Sequence, residues 1–191
     1  IFKIDKNGNK STFGASTSKY VQVNSSLAAD GRGGLWVSQN RSAIDAYYQL
    51  VHYNALGTID FAVYQGNENG FTGGSARGAL AYDAECQILA QGRDGIVVLF
   101  DVTYNATTGV PTLTKRDAVA SIGGNKIDGL AFDYVGDLYV VNSGKAKFQK
   151  FTIPTDNNTC LVPAKKSLAL DNAQITYELN GGVWNEYGWT S

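Results

Sequence analysis

The 191-residue chain has no methionine, one histidine, two cysteines and three prolines. Each scarcity removes a class of chemistry. A histidine-built zinc site is excluded with His52 alone, and neither Cys86 nor Cys160 sits in a CxxC pair with metal-ligand spacing. Those two cysteines form one disulfide or none. No apolar run approaches the roughly 20 residues that a membrane-crossing helix needs, so no helical span is expected. Charge of either sign is sparse: 16 Lys plus Arg stand against 17 Asp plus Glu, for a formal net charge of −1. Without a basic excess, nucleic-acid binding is not expected. The glycines, 22 in all, show neither a three-residue period nor a phosphate-cradling loop. Gly73-Gly74 and Gly123-Gly124 read instead as turns between repeats. With 43% hydrophobic residues the chain is not disordered. The missing methionine and the opening Ile1-Phe2-Lys3-Ile4-Asp5, which reads as mid-strand, lead us to expect a processed chain or a fragment.

What is present is repetition. Leu27-Ala28-Ala29-Asp30, Leu80-Ala81-Tyr82-Asp83 and Leu130-Ala131-Phe132-Asp133 place an Asp after an apolar stretch, and that Asp recurs after 53 and then 50 residues. Five residues beyond each Asp an aliphatic residue (Leu35, Ile88, Leu138) opens a second apolar stretch. Glycines mark the turn between them in the first and third copies. The second copy carries Glu85-Cys86 there and lacks Gly, which predicts a different turn. Third strands rich in β-branched and aromatic residues follow at Tyr47 to Tyr53, Ile96 to Val102 and Phe148 to Ile153. Shorter fourth strands are expected at Ile59 to Tyr64, Thr112 to Val119 and Leu168 to Leu170. No convincing amphipathic helix separates them. The N-terminal stretch fits the third and fourth strands of the same unit, across a Lys6-Asn7-Gly8-Asn9 hairpin whose Asn-Gly pair predicts two central residues of positive φ.

Four antiparallel strands repeated at this period predict an all-β fold, a β-propeller of four-stranded antiparallel blades, because one such sheet cannot cover both of its apolar faces alone. The segment Gly129 to Gly144, followed by Phe148-Gln149-Lys150-Phe151, resembles an NHL-type propeller repeat. The long excursions Asn105 to Pro111 and Pro154 to Pro163, with the C-terminal Ile175 to Gly182, resemble secreted surface propellers of gut Bacteroidetes. The resemblance implies an extracellular or cell-surface location and says little about activity, since propellers host many unrelated ones. The expected organisation is a half-blade over 1–13, blades over 14–66, 67–119 and 120–172, and a tail over 173–191. That makes about three and a half blades, or four if the tail closes the ring; otherwise the tail starts a following domain. An unclosed ring would expose apolar blade faces and pair with a second copy or with missing blades of a longer parent chain.

Propellers bind ligands at the channel mouth, through loops joining second to third strands and loops leading into the next first strand. Those loops carry Asn40 and Arg41, Arg93, Asn142 and Lys145 in the first group, and Arg77, Lys126 and Asp128 in the second. Convergent cations beside amide donors suit a carboxylate, sulfate or phosphate. Trp36, Tyr139, Trp184, Tyr187 and Trp189 supply aromatic faces, of which Trp36 and Tyr139 are expected to pack between blades. His52 falls in a third strand, where a structural role is expected rather than that of a catalytic base. The expected function is a non-catalytic binding module for a glycan or a protein, with no cofactor. The resemblance also leaves room for a divalent-metal lactonase or lyase, for which Asn142, Asp128 and Asp94 are the comparable set and calcium the fitting ion. A purely architectural spacer is the remaining alternative.

Overall fold

A computed structural model describes residues 1–14, 26–38, 48–64, 79–93, 95–116, 120–121, 127–142, 147–153, 178–179, 182–185 and 188–190. The described residues are all-β and hold no helix. An N-terminal hairpin pairs β1 (Phe2–Ile4) with β2 (Lys10–Thr12). A first sheet follows as β3 (Ser26–Ala29), β4 (Leu35–Ser38), β5 (Tyr48–Tyr53) and β6 (Ile59–Tyr64), hydrogen-bonded in chain order. The second sheet is β7 (Leu80–Asp83), β8 (Ile88–Arg93), β9 (Ile96–Tyr104) and β10 (Pro111–Lys115), with β11 (Ala120–Ser121) resuming the pairing on β9. The third sheet is β12 (Gly129–Phe132), β13 (Asp137–Asn142) and β14 (Lys147–Thr152). The expected fourth strand at Leu168 to Leu170 lies outside the described residues. Every pairing is antiparallel.

The tail forms its own sheet of β15 (Glu178–Leu179), β16 (Gly182–Asn185) and β17 (Gly188–Thr190). Among the described residues its ladders do not reach β1 or β2.

Side chains alternate across each strand and both sets are largely apolar, so the first and second sheets are packed on both faces. On β9, Val98, Phe100 and Val102 pack with Trp36, Leu50 and Val63 of the first sheet. Val97 and Leu99, one residue out of phase, pack with Leu138, Val140 and Ile153 of the third. The opposite face of the first sheet (Val37, Val51 and Tyr53) packs under Ile1 and Phe13 of the hairpin. The result is a stack: hairpin, first sheet, second sheet, third sheet. Gly92 shows how tight the contact is beyond the second sheet, since a Cβ there would lie 2.5 Å from Ile127 Cγ2.

The recurring Asp has a local cause. Asp30 Oδ1 accepts the backbone N–H of Arg32 and of Gly34, both at 2.7 Å. Asp133 Oδ1 accepts those of Val135 and Asp137, and Asp83 Oδ1 those of Glu85 and Cys86. A side-chain carboxylate thus satisfies donors that the reversing chain leaves unpaired. Asp5, Asn54 and Asn105 do the same in the β1–β2, β5–β6 and β9–β10 turns.

Two sequence expectations are corrected here. In the N-terminal hairpin only Gly8 has positive φ (84°). Asp5 O accepts Gly8 N–H while Asp5 N–H donates to Asn9 O, a type I turn closed by a glycine bulge rather than a turn with two left-handed residues. In the second copy the residue matching Leu35 and Leu138 is Leu89, not Ile88. Ala29 pairs with Leu35 and Phe132 with Leu138, but Tyr82 pairs with Leu89. The β7–β8 turn is one residue longer, and Gln87 takes the left-handed conformation (φ 53°) that glycine takes elsewhere.

Candidate functional site

The β4, β8 and β13 strands end at Ser38, Arg93 and Asn142, on the same edge of consecutive sheets. Gln91 Nε2 donates to Ser38 Oγ at 3.2 Å, with both side chains buried, so neighbouring sheets are tied together just below this edge. Asn142 is also buried. Arg93 is the last β8 residue and pairs with Ile96 across a connection of two residues. Asn40, Arg41, Arg77, Asp94, Lys126, Lys145 and Tyr187 lie outside the described residues. Asp128 N–H donates to Val141 O at the foot of the third sheet. Trp184 and Trp189 are register partners on β16 and β17. Of the cation set read from the sequence, Arg93 alone has a described backbone position. The strand ends that carry these loops lie on one edge of consecutive sheets.

The opposite edge holds the Asx-capped turns and a charged network that the sequence did not reveal. His52 Nδ1 lies 2.6 Å from Asp60 Oδ1, and its Nε2 lies 3.1 Å from Asp30 Oδ2. His52 and Asp30 are 2% and 3% exposed, Asp60 13%. Both ring nitrogens donate to these carboxylates only when the ring carries both protons. The ring lies against Trp36, centroids 4.5 Å apart, and meets Tyr104 edge-on. A general base needs one nitrogen free for a nucleophile's proton; here each nitrogen faces a carboxylate in a closed interior. His52 thus has a structural role, linking Asp30 and Asp60 between the first and second sheets. Asp30 serves twice, capping its own turn with one oxygen and holding His52 with the other. Gly34 permits this, because a Cβ there would lie 2.4 Å from Tyr53 O and 2.5 Å from Asp30 Oδ2.

Around this network Arg32 lies over the Tyr104 ring at 4.0 Å, and the Tyr104 and Tyr82 hydroxyls meet at 3.4 Å. Burial raises both phenols above the ordinary tyrosine value, and the contact with Tyr104 adds to the shift of Tyr82.

Between the β7–β8 and β12–β13 turns lies a cleft of about 250 Å³, lined by Tyr82, Asp83, Glu85, Cys86, Phe132 and Tyr134 among others. Cys86 is disulfide-bonded, and Cys160 is the only other cysteine in the sequence. The alternative of free thiols is thereby corrected at Cys86, and Cys160 lies outside the described residues. Among the described residues no group of three His, Cys, Asp or Glu side chains is arranged to hold a metal ion. An apolar groove of about 480 Å³ runs between the N-terminal hairpin and Leu27, Ala29 and Leu35 of the first sheet.

Compared with family models, with curated proteins and with solved structures, the chain matches none.

Proposed function

We propose that the sheets are blades of an NHL-like β-propeller and that the chain is a secreted or surface-displayed, non-catalytic module. It binds a glycan or a protein through the loops that leave the Ser38, Arg93 and Asn142 strand ends. One observation carries this reading: consecutive meander sheets stack face to face, with short Asx-capped turns on one edge and these connections on the other. The uniform edge is built by local turn chemistry. We assign the ligand contacts to the connections from the opposite edge, whose sequence holds Arg41, Arg93 and Lys145 with Asn40 and Asn142, donors suited to carboxylate or sulfate groups. The disulfide at Cys86 favours an oxidising, extracellular setting.

The test is calorimetric titration of the intact chain with a panel of acidic and neutral polysaccharides, alongside the Arg41→Ala/Arg93→Ala variant. The reading expects an acidic polysaccharide to bind the wild type and to bind the variant at least about tenfold more weakly. Binding unaffected by the double substitution, or no binding to any member of the panel, would remove the polysaccharide reading of these loops.

A further inference from the structure

The first and third sheets carry the same three-part motif at equivalent register positions. On the first sheet Trp36 pairs with His52, and His52 binds the turn carboxylate Asp30. On the third, Tyr139 pairs with Lys150, whose Nζ lies 5.4 Å from the Tyr139 ring centroid, 3.8 Å from Asp133 and 2.6 Å from Asp137. Leu50, two residues before His52, corresponds to Phe148, two before Lys150. The first set is sealed under the second sheet. The third-sheet set faces away from the second sheet: Phe148 is 67% exposed and Val141 43%. At the other end of the stack, the outward face of the N-terminal hairpin exposes Phe2 (63%) and Ile4 (68%), with Lys10 over the Phe2 ring.

We propose that the outer face of β12–β14 is a sheet–sheet interface whose occupant is the N-terminal hairpin of a second copy of this chain. The face is built on the plan of one that a neighbouring sheet already covers, and it continues the same stack. Its charges complement the hairpin: Asp133 and Asp137 outnumber Lys150, whereas Lys10 on the outward face and Lys6 in the turn outnumber Asp5. The two ends differ, so the contact is heterologous, head to tail. This inference depends on the stacking of the sheets and not on any ligand at the loops, so the polysaccharide titration and the test below fail independently.

The experiment is light scattering coupled to size exclusion across micromolar to millimolar concentrations, on wild type, Phe148→Asp and Ile4→Asp. Both positions are exposed, and circular dichroism checks that each variant folds. The wild type is expected to associate with rising concentration, and each variant to associate at least about tenfold more weakly. An equimolar mixture of the two variants is expected to form a one-to-one dimer, because each supplies the end that the other lacks. A wild type that stays monomeric throughout overturns the proposal. So does an Ile4→Asp variant that self-associates as well as wild type, which would mean the face pairs with itself. A mixture in which the folded variants fail to dimerise overturns it as well.

Discussion

On the first sheet, Trp36, His52 and Asp30 are closed off by the second sheet; on the third, Tyr139, Lys150 and Asp133 occupy the equivalent positions and stand open. The residue choice follows the cover. The covered imidazole has a carboxylate at each ring nitrogen, because an unpaired polar group there would lose its water without replacement. An open cation is a lysine whose long stem crosses an aromatic ring and whose ammonium stays hydrated. The second sheet, between them, has Ala90 and Leu99 at these positions and needs no charge. The three-part motif is therefore a device of the repeat, and the depth at which it sits decides what it contributes.

The largest expected contrast is between His52 and Lys150. His52→Leu leaves the carboxylates of Asp30 and Asp60 without their imidazole partner and is expected to cost about 3–5 kcal/mol. Lys150→Met, on the open face, is expected to cost far less, because solvent screens its ion pair. Urea unfolding of both variants measures the difference, and equal losses would break the comparison. The aromatic partners come next. Trp36→Ala is expected to lose about 3–5 kcal/mol, and Tyr139→Ala no more than about 1 kcal/mol at low protein concentration. If Tyr139→Ala approached the Trp36→Ala loss in dilute solution, the outer face of the third sheet would have to be covered within the monomer.

The disulfide at Cys86 ranks third. It lies beside the cleft between the second and third sheets, so its loss should tell on that side of the stack. Its reduction is expected to remove about 2–4 kcal/mol, read as a fall in melting temperature with added dithiothreitol. An unchanged melting point after verified reduction would show that the covered side stands without it. The smallest effects are in pH. In the fold, Tyr82 and Tyr104 hold their protons above the ordinary tyrosine value of 10.0, whereas in the unfolded chain they release them near it. Stability is therefore lost as pH rises beyond that value. Tyr82→Phe should flatten that alkaline decline in melting temperature, and an equally steep decline would assign it elsewhere. On the open face the sign reverses. The hydrogen bond from Lys150 lowers Asp137, so its contribution is present above the ordinary carboxylate value of 3.8 and fades as pH falls below it.

Much of this organisation was legible because it is local. Asp30, Asp83 and Asp133 stand out in the sequence since each caps the turn that follows it, and alternating apolar residues mark the two faces of β9. The position of Leu89 was not legible, because a one-residue change in turn length leaves no trace in hydrophobicity, while the pairing of Tyr82 with Leu89 restores the faces across the ladder. Nor were the partners of His52. Asp30 is 22 residues away and Asp60 lies on the next strand, and only the register of β4, β5 and β6 brings all three together. The cation set Arg41, Arg93 and Lys145 was visible as a recurrence in composition. Its geometry depends on loops whose conformation no period encodes.

The extra residue at Gln87 bears on how such a chain diverges. An insertion within β8 would turn Leu89 away from the first sheet and Ala90 away from the third. Placed in the turn, the same insertion is absorbed by one left-handed residue, and the strands on either side keep their partners. That edge can thus change length from copy to copy without the core registering it. It is where one added residue beside Gln87 is expected to be tolerated, provided that Asp83 and Cys86 keep their bonds.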